Sequence, residues 1–229
     1  MDIRLGSLVR DAQEATGTVL IIDVFRAFTT ASIAFNNGAT HITLVAEIEE
    51  ALALKQKGYG DILMGEVNGT KPAGFDFGNS PHEIFDVDFS GKSIIQSTRA
   101  GTVGAAAATK ADVIYVTSFV IARATVDKVL LDQPDIISII AMGDQGAIRA
   151  DEDEQCGIYL RNLLEGREPD TESVRSLIMT GGATQKFFDD SQPQYHPKDV
   201  ELALDINKYP FAIKTSREDD LLVARRADI

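Results

Sequence analysis

Acids and arginines stand at four places where an apolar run gives way to a glycine-rich or helix-opening segment. The first is Asp23-Val24-Phe25-Arg26-Ala27-Phe28-Thr29-Thr30, directly after Leu20-Ile21-Ile22. An acid at a strand end beside an arginine that opens a helix can serve a metal and an anion together. The carboxylate holds Mg2+, and the guanidinium and helix N-terminus take phosphate oxygens. The plainer alternative is a strand-ending Asp that caps the helix, with Arg26 as its ion-pair partner. The second place is Gly65–Pro81, GEVNGTKPAGFDFGNSP. Its glycines at 65, 69, 74 and 78 let backbone N–H groups approach a ligand, and Glu66 and Asp76 offer hard oxygen ligands. An Ω-loop held by its own turns is the competing reading.

The third is Ser97-Thr98-Arg99-Ala100-Gly101-Thr102, where small hydroxylated residues, a glycine and an arginine precede an Ala-rich helix and suit an anion. The fourth is Gly143–Gly157, in which Asp151-Glu152-Asp153-Glu154 open a helix. Adjacent helical residues point ~100° apart, so only one or two of these acids can face a common site. A solvated turn that complements the helix dipole explains the run equally well.

Other chemistries lack their residues. No Gly-Lys-Ser/Thr phosphate loop, dinucleotide glycine spacing or G-x-S-x-G elbow is present. His41, His82 and His196 lie far apart in sequence without metal-ligand spacing, and Cys156 reads as a small buried apolar residue on its helix.

The elements that must position these groups follow from alternation. Short apolar runs read as strands buried on both faces, at 18–24, 41–45, 61–64, 93–97, 113–116 and 135–142. Between them, helical-period segments cover 27–36, 47–57, 102–110, 118–131, 150–165 and 172–179. This is an α/β chain whose functional groups gather at the carboxyl ends of strands. From Thr180 the period breaks; a helix or strand near 200–206, a short strand at 211–214 and an amphipathic tail complete the reading. The Gly65–Pro81 loop exceeds the ~12–15 residues that compact domains tolerate without a functional reason.

The chain has 229 residues, 22 Lys+Arg against 35 Asp+Glu, and a net charge of −13. That length means one large domain or two small lobes, the latter dividing at about 1–132 and 133–229. The charge argues against nucleic acid and anionic lipid as partners. The N-terminus lacks a secretory pattern, no stretch supplies the ~20 apolar residues of a spanning helix, and the single cysteine suits a reducing cytoplasm. A homodimer is the default assembly for a soluble enzyme.

Together the four segments resemble the 2-phosphosulfolactate phosphatases of the ComB type, Mg2+-dependent enzymes associated with coenzyme M synthesis. The likeness runs from about residue 18 to 160. Its most specific parts are Gly74–Pro81 (GFDFGNSP), preceded by Gly65-Glu66 and Gly69, and Asp23–Ala39 (DVFRAFTTASIAFNNGA). Ser97–Thr102 and Ser118-Phe119 with Ala122 match further segments. Departures stand at Val67, where the family has Arg, at Ala100 and Ile121, where it has Asn, and at Asp151-Glu152, where its Glu-Asp pair falls with the acids exchanged.

The resemblance implies a three-layer α/β/α fold with a mixed sheet, arranged as one domain or as two related lobes with the site between them. It also implies Mg2+-dependent hydrolysis of a small anionic phosphate monoester, 2-phosphosulfolactate or another phospho-acid. The departures leave open a silent phosphate- or metabolite-binding protein. Metal ligation is expected from Asp23, Glu66, Asp76, Asp151 and Glu152. Substrate binding is expected from Arg26, Thr29, Asn79, Thr98 and Arg99, and catalysis from Asp23, Arg26 and Asp76.

Overall fold

The structure, a computed structural model, describes residues 1–229. The elements run β1 (Asp2–Ser7), α1 (Leu8–Glu14), β2 (Gly17–Ile22), α2 (Ala27–Asn36), β3 (His41–Val45), α3 (Ile48–Gln56) and β4 (Ile62–Gly65). After the long loop come α4 (Pro81–Ile84), β5 (Ser93–Ser97), α5 (Gly101–Ala107), β6 (Ala111–Thr117), α6 (Ala122–Asp132) and β7 (Ile136–Ala141). The chain ends with α7 (Asp151–Leu164), α8 (Thr171–Met179), α9 (Gly182–Gln185), α10 (Pro197–Ala203), β8 (Phe211–Glu218) and β9 (Leu221–Asp228).

Nine strands form one mixed sheet in the order β1-β7-β2-β6-β8-β9-β3-β5-β4. Strand residues alternate faces, and the core follows that period of two. Val19 and Ile21 of β2 pack with α1, α2 and α5, whereas Leu20 and Ile22 pack with α6, α7 and α10. On the other arm, Ile42, Met64 and Ile94 join the first helical layer, while Leu63 and Ile95 pack under α3. Each fully buried aliphatic side chain contributes ~1.5–3 kcal/mol, so both layers are needed to hold the sheet. The result is the three-layer α/β/α arrangement. β7 is hydrogen-bonded between β1 and β2, so the chain before and after residue 132 shares one sheet.

Strands β1, β7, β2 and β6 are mutually parallel, as are β3, β5 and β4, and the antiparallel β8–β9 hairpin joins the two sets. Counted across the hairpin, the sets run in opposite directions. In a flat sheet their carboxyl ends would lie at opposite edges. The hydrogen bonds described below nonetheless bring the loops that follow the two sets of strands together.

The short helices α4 and α9, the N-terminal elements and the last strand escape the pattern reading. The N-terminal segment forms an edge strand and a helix, its periodicity masked by charges on the exposed face. The amphipathic tail is β9, and the residues turning the hairpin, Asp219 and Asp220, both take positive φ (48° and 66°). No helix is long and apolar enough to cross a membrane.

Candidate active site

Three carboxylates stitch the strand ends together. Asp23, just beyond β2 and only 4% exposed, accepts from Ala27 N–H through Oδ1 (2.9 Å) and from Gly101 N–H through Oδ2 (2.8 Å). One side chain thus ties the first residue of α2 to that of α5. A Cβ at position 101 would sit 2.8 Å from Asp23 Oδ2, which is why glycine opens α5. Glu66, beyond β4, accepts from Arg99 N–H (2.9 Å) and Gly69 N–H (2.7 Å). Asp153 of α7 accepts from Val24 N–H (2.7 Å) and Gly143 N–H (2.8 Å). Each bond fixes a loop that would otherwise leave buried amides unpaired.

These stitches enclose a cavity of about 230 Å³. Asp23, Glu66, Asp144, Arg26, Arg99 and Lys186 line it, with Asn68, Asn79, Gln145, Gln192 and Gln194. Asn79 is buried, and its Oδ1 has no hydrogen-bond partner. Arg26 is held hard: Nη1 donates to Asp199 Oδ2 (3.0 Å) and Gln194 O (3.0 Å), and Nη2 to Gly69 O (3.1 Å). Three of its five N–H donors are committed, leaving two for a ligand. Tyr195 lies between two cations, 5.1 Å from the Arg26 guanidinium and 4.8 Å from Lys186 Nζ. Lys186 has no carboxylate within 4.0 Å.

Burial sets the electrostatics. It pushes the Asp23 carboxyl up to about 6, with repulsion from Glu66 adding and the Ala27 and Gly101 amides and Lys186 opposing. Burial likewise pushes Glu152 up to about 8, reinforced by Asp151 and Asp23, and holds Asp153 well above the carboxylate range. A raised carboxyl binds its proton more tightly in the folded than in the unfolded state. The Glu152 contribution to stability is therefore fully present below about pH 4.5 and is lost as pH rises through about 8. Glu152→Gln is expected to make the metal-free protein ~2–4 kcal/mol more stable than wild type at pH 8.5, and equal to it near pH 4.5. Urea denaturation at the two pH values checks this; an equal difference at both would remove burial as the cause.

Of the residues expected from sequence, Asp23, Arg26, Glu66, Asn79 and Arg99 line the cavity. Arg99 turns its guanidinium outward, toward Ala46 O (3.4 Å) and Glu47 (3.5 Å). Thr29 and Thr98 are buried and do not line it: Thr29 Oγ1 donates to Val24 O (2.8 Å), and Thr98 pairs with Thr102. Asp76 also lies apart, because its Oδ2 accepts from Leu63 N–H (2.7 Å) and Lys55 Nζ (3.1 Å) and pins the loop to β4. Asp151 and Glu152 line a neighbouring cavity instead. No three His, Cys, Asp or Glu side chains converge as metal ligands.

The fully buried acids of α7 are Glu152 and Asp153, not Asp151, which accepts from Ala183 N–H (3.3 Å). The signal for Asp153 was present, since it falls on the Cys156-Gly157-Leu160-Leu164 stripe that faces the sheet. His82 and His196, distant in sequence, stack with ring centroids 4.2 Å apart. Of the departures from the family pattern, Ala100 lines the cavity, Val67 is exposed, and Ile121 is in the core. Lys186, Tyr195 and Asp199 had no local signal.

The geometry accords with comparisons to known proteins. The profile of the 2-phosphosulpholactate phosphatase family matches residues 7–207. A Bacillus subtilis protein named probable 2-phosphosulfolactate phosphatase is 32% identical over 213 residues, 92% of each chain. Proteins of the same name from Clostridium acetobutylicum and Thermoplasma acidophilum are each 31% identical, over 77% and 71% of this chain and 72% and 75% of theirs. The match spans every element that contributes to the cavity, from β2 to α10, and with it the chain belongs to the 2-phosphosulpholactate phosphatase family.

Proposed function

We propose that the chain, acting as one domain over residues 1–229, hydrolyses a small anionic phosphate monoester with the help of Mg2+, 2-phosphosulfolactate being the first substrate to test. What carries this reading is a single polar cavity lined by Asp23, Glu66, Arg26 and Lys186.

The donors suit Mg2+ chemically: Asp23, Glu66 and the partnerless Asn79 Oδ1 are hard oxygen donors around one cavity. Mg2+ commonly takes one or two carboxylates and keeps several waters, so a three-acid cluster is not required. Both oxygens of Asp23 and Glu66 already accept one N–H each, and a second lone pair remains on every one of them. Asp76 takes no part, its carboxylate being engaged with Leu63 and Lys55. When bound, the metal supplies positive charge against the phosphate.

Arg26 offers its two uncommitted N–H donors to phosphate oxygens, and its other three bonds keep the guanidinium from turning away. Lys186 adds a second cation without a competing carboxylate. Asn68, Asn79 and Gln194 supply neutral polar groups that orient the remaining acid groups of the substrate. A reducing cytoplasm suits the buried free thiol of Cys156.

Phosphate release from a panel of phospho-acids that includes 2-phosphosulfolactate, with and without EDTA, tests the reading. Release from one or a few members is expected, abolished by EDTA and restored by Mg2+. No release from any member sinks it, and EDTA-resistant release removes the metal.

A further inference from the structure

A second chamber of about 470 Å³ adjoins the first, and Phe25, Gly143, Asp144 and Lys186 line both. Its character differs. Phe25, Ile148, Ala150 and Ala183 give it an apolar wall, and Glu152 lines it with a buried Oε2 that has no partner in the protein. A buried polar atom of a residue only 4% exposed, left without a partner, is costly, and a ligand group that hydrogen-bonds to it removes that cost.

Resting on the hydrolase reading above, we infer that the first chamber holds the phosphoryl group and the second holds the alcohol half of the ester, with Lys186 at the bond that breaks. The phosphate needs cationic donors and polar walls, which Arg26, Lys186 and the amides of the first chamber supply. The leaving half is a small hydroxy acid whose carbon skeleton fits the apolar wall and whose polar substituents can reach Glu152 Oε2, with Arg149 and Lys186 of the same lining set against Asp144 and Asp151. A bond joining the two halves crosses the boundary between the chambers, where Lys186 is the only side chain carrying a positive charge.

The step balances. The oxygen of an attacking water bonds to phosphorus, and the phosphorus–alkoxy bond breaks with its electron pair on the alkoxy oxygen. That oxygen takes a proton from Lys186 Nζ and departs as the alcohol. One proton of the water stays on the phosphate and the other passes to solvent, from which Lys186 recovers the one it gave.

A third cavity, on the other side of Arg26, also touches the first and could compete for the alcohol half. Two of its polar side chains are already partnered: Glu83 accepts from Gly78 N–H, and Ser80 donates to Asp199. Thr70 lines that third cavity and Ala183 the second, so one substitution in each separates the two.

Two measurements test the inference. The first needs no turnover: titrate metal-loaded protein with inorganic phosphate and with sulfolactate. Ala183→Phe is expected to weaken sulfolactate binding at least ~10-fold and leave phosphate within ~2-fold, while Thr70→Phe changes neither. Loss of sulfolactate binding in Thr70→Phe with none in Ala183→Phe overturns the assignment of chambers, and leaves the hydrolase reading intact. The second compares Lys186→Met with wild type on an alkyl phospho-acid and on p-nitrophenyl phosphate, whose leaving group needs no proton. A loss of ~10²-fold on the first and under ~10-fold on the second is expected. Equal losses on both would make Lys186 a phosphate-binding charge and overturn its role at the leaving oxygen.

Discussion

Asp23→Asn is expected to lower kcat/KM roughly 10³-fold while leaving the protein folded, the size of effect that follows from losing one preorganised electrostatic group. Two opposing changes keep stability near wild type at pH 8. The amide cannot accept from both Ala27 and Gly101, so one buried N–H loses its partner at a cost of ~1–3 kcal/mol. Against this, the charged carboxylate no longer has to be buried. Asp23 titrates at about 6 instead of 3.8, so wild-type metal-free protein loses stability as pH rises through that window. A shift of about two units corresponds to ~3 kcal/mol, which offsets the lost bond above pH 6 and not below pH 4. The variant should therefore be the less stable protein in acid and about equal in base. Mg2+ adds the decisive arm: at ~100 times its dissociation constant a bound ion stabilises by ~2.7 kcal/mol. Wild type should gain that rise in Tm and Asp23→Asn should not. An equal Mg2+ response in both proteins would take Asp23 out of the metal site whatever its effect on turnover.

Why Asp23 was legible in the sequence and Asp199 was not comes down to range. The short apolar runs placed β3 and β5 at their observed bounds, and α2 begins and ends where Arg26 and Asn37 predict. Residues at the ends of such runs, Asp23, Arg26 and Glu66, were then bound to reach the crevice. Asp76 misled because a carboxylate in a glycine-rich loop looks the same whether it faces a ligand or pins its own loop, and only the Leu63 amide decides. Thr29 and Thr98 misled because hydroxyls in an opening turn bond back to the backbone as readily as outward. Among the four acids of α7, choosing the inward pair required following the stripe from Cys156 to Leu164 back one turn. The third group, Lys186, Tyr195 and Asp199, lies where the chain has no sustained period. Tyr195 and Asp199 meet Arg26 from more than 150 positions away, and Lys186 joins them through the Tyr195 ring, a set of contacts that no local pattern encodes.

That distant pairing carries the second large effect. Asp199 and Arg26 form an ion pair with side chains 0% and 3% exposed. Asp199 Oδ1 also accepts from Ser80 Oγ (2.6 Å) and His82 N–H (3.0 Å), so it anchors α4 and the Gly65–Pro81 loop to the same point. It is a positioning residue: it acts on the phosphate only through Arg26. Asp199→Asn keeps an acceptor for Ser80 and His82 but sets an amide N–H against Arg26, and we expect a ~10²-fold loss of kcat/KM. Arg26→Ala should cost more, ~10³-fold. Arg225→Ala, by contrast, should cost nothing, because Arg225 pairs with Glu218 on the exposed β8–β9 hairpin. Breaking one half of a buried pair also destabilises, by ~3–5 kcal/mol, so lost activity alone would not separate positioning from unfolding. The double variant Arg26→Met with Asp199→Asn does. It removes the uncompensated charge, and replacing a buried pair with uncharged groups is often neutral, so stability should return toward wild type. Activity should remain at the level of Arg26→Met alone, with Asp199→Asn adding less than ~3-fold in that background. If the two losses multiply instead, Asp199 serves the site by a route that does not pass through Arg26.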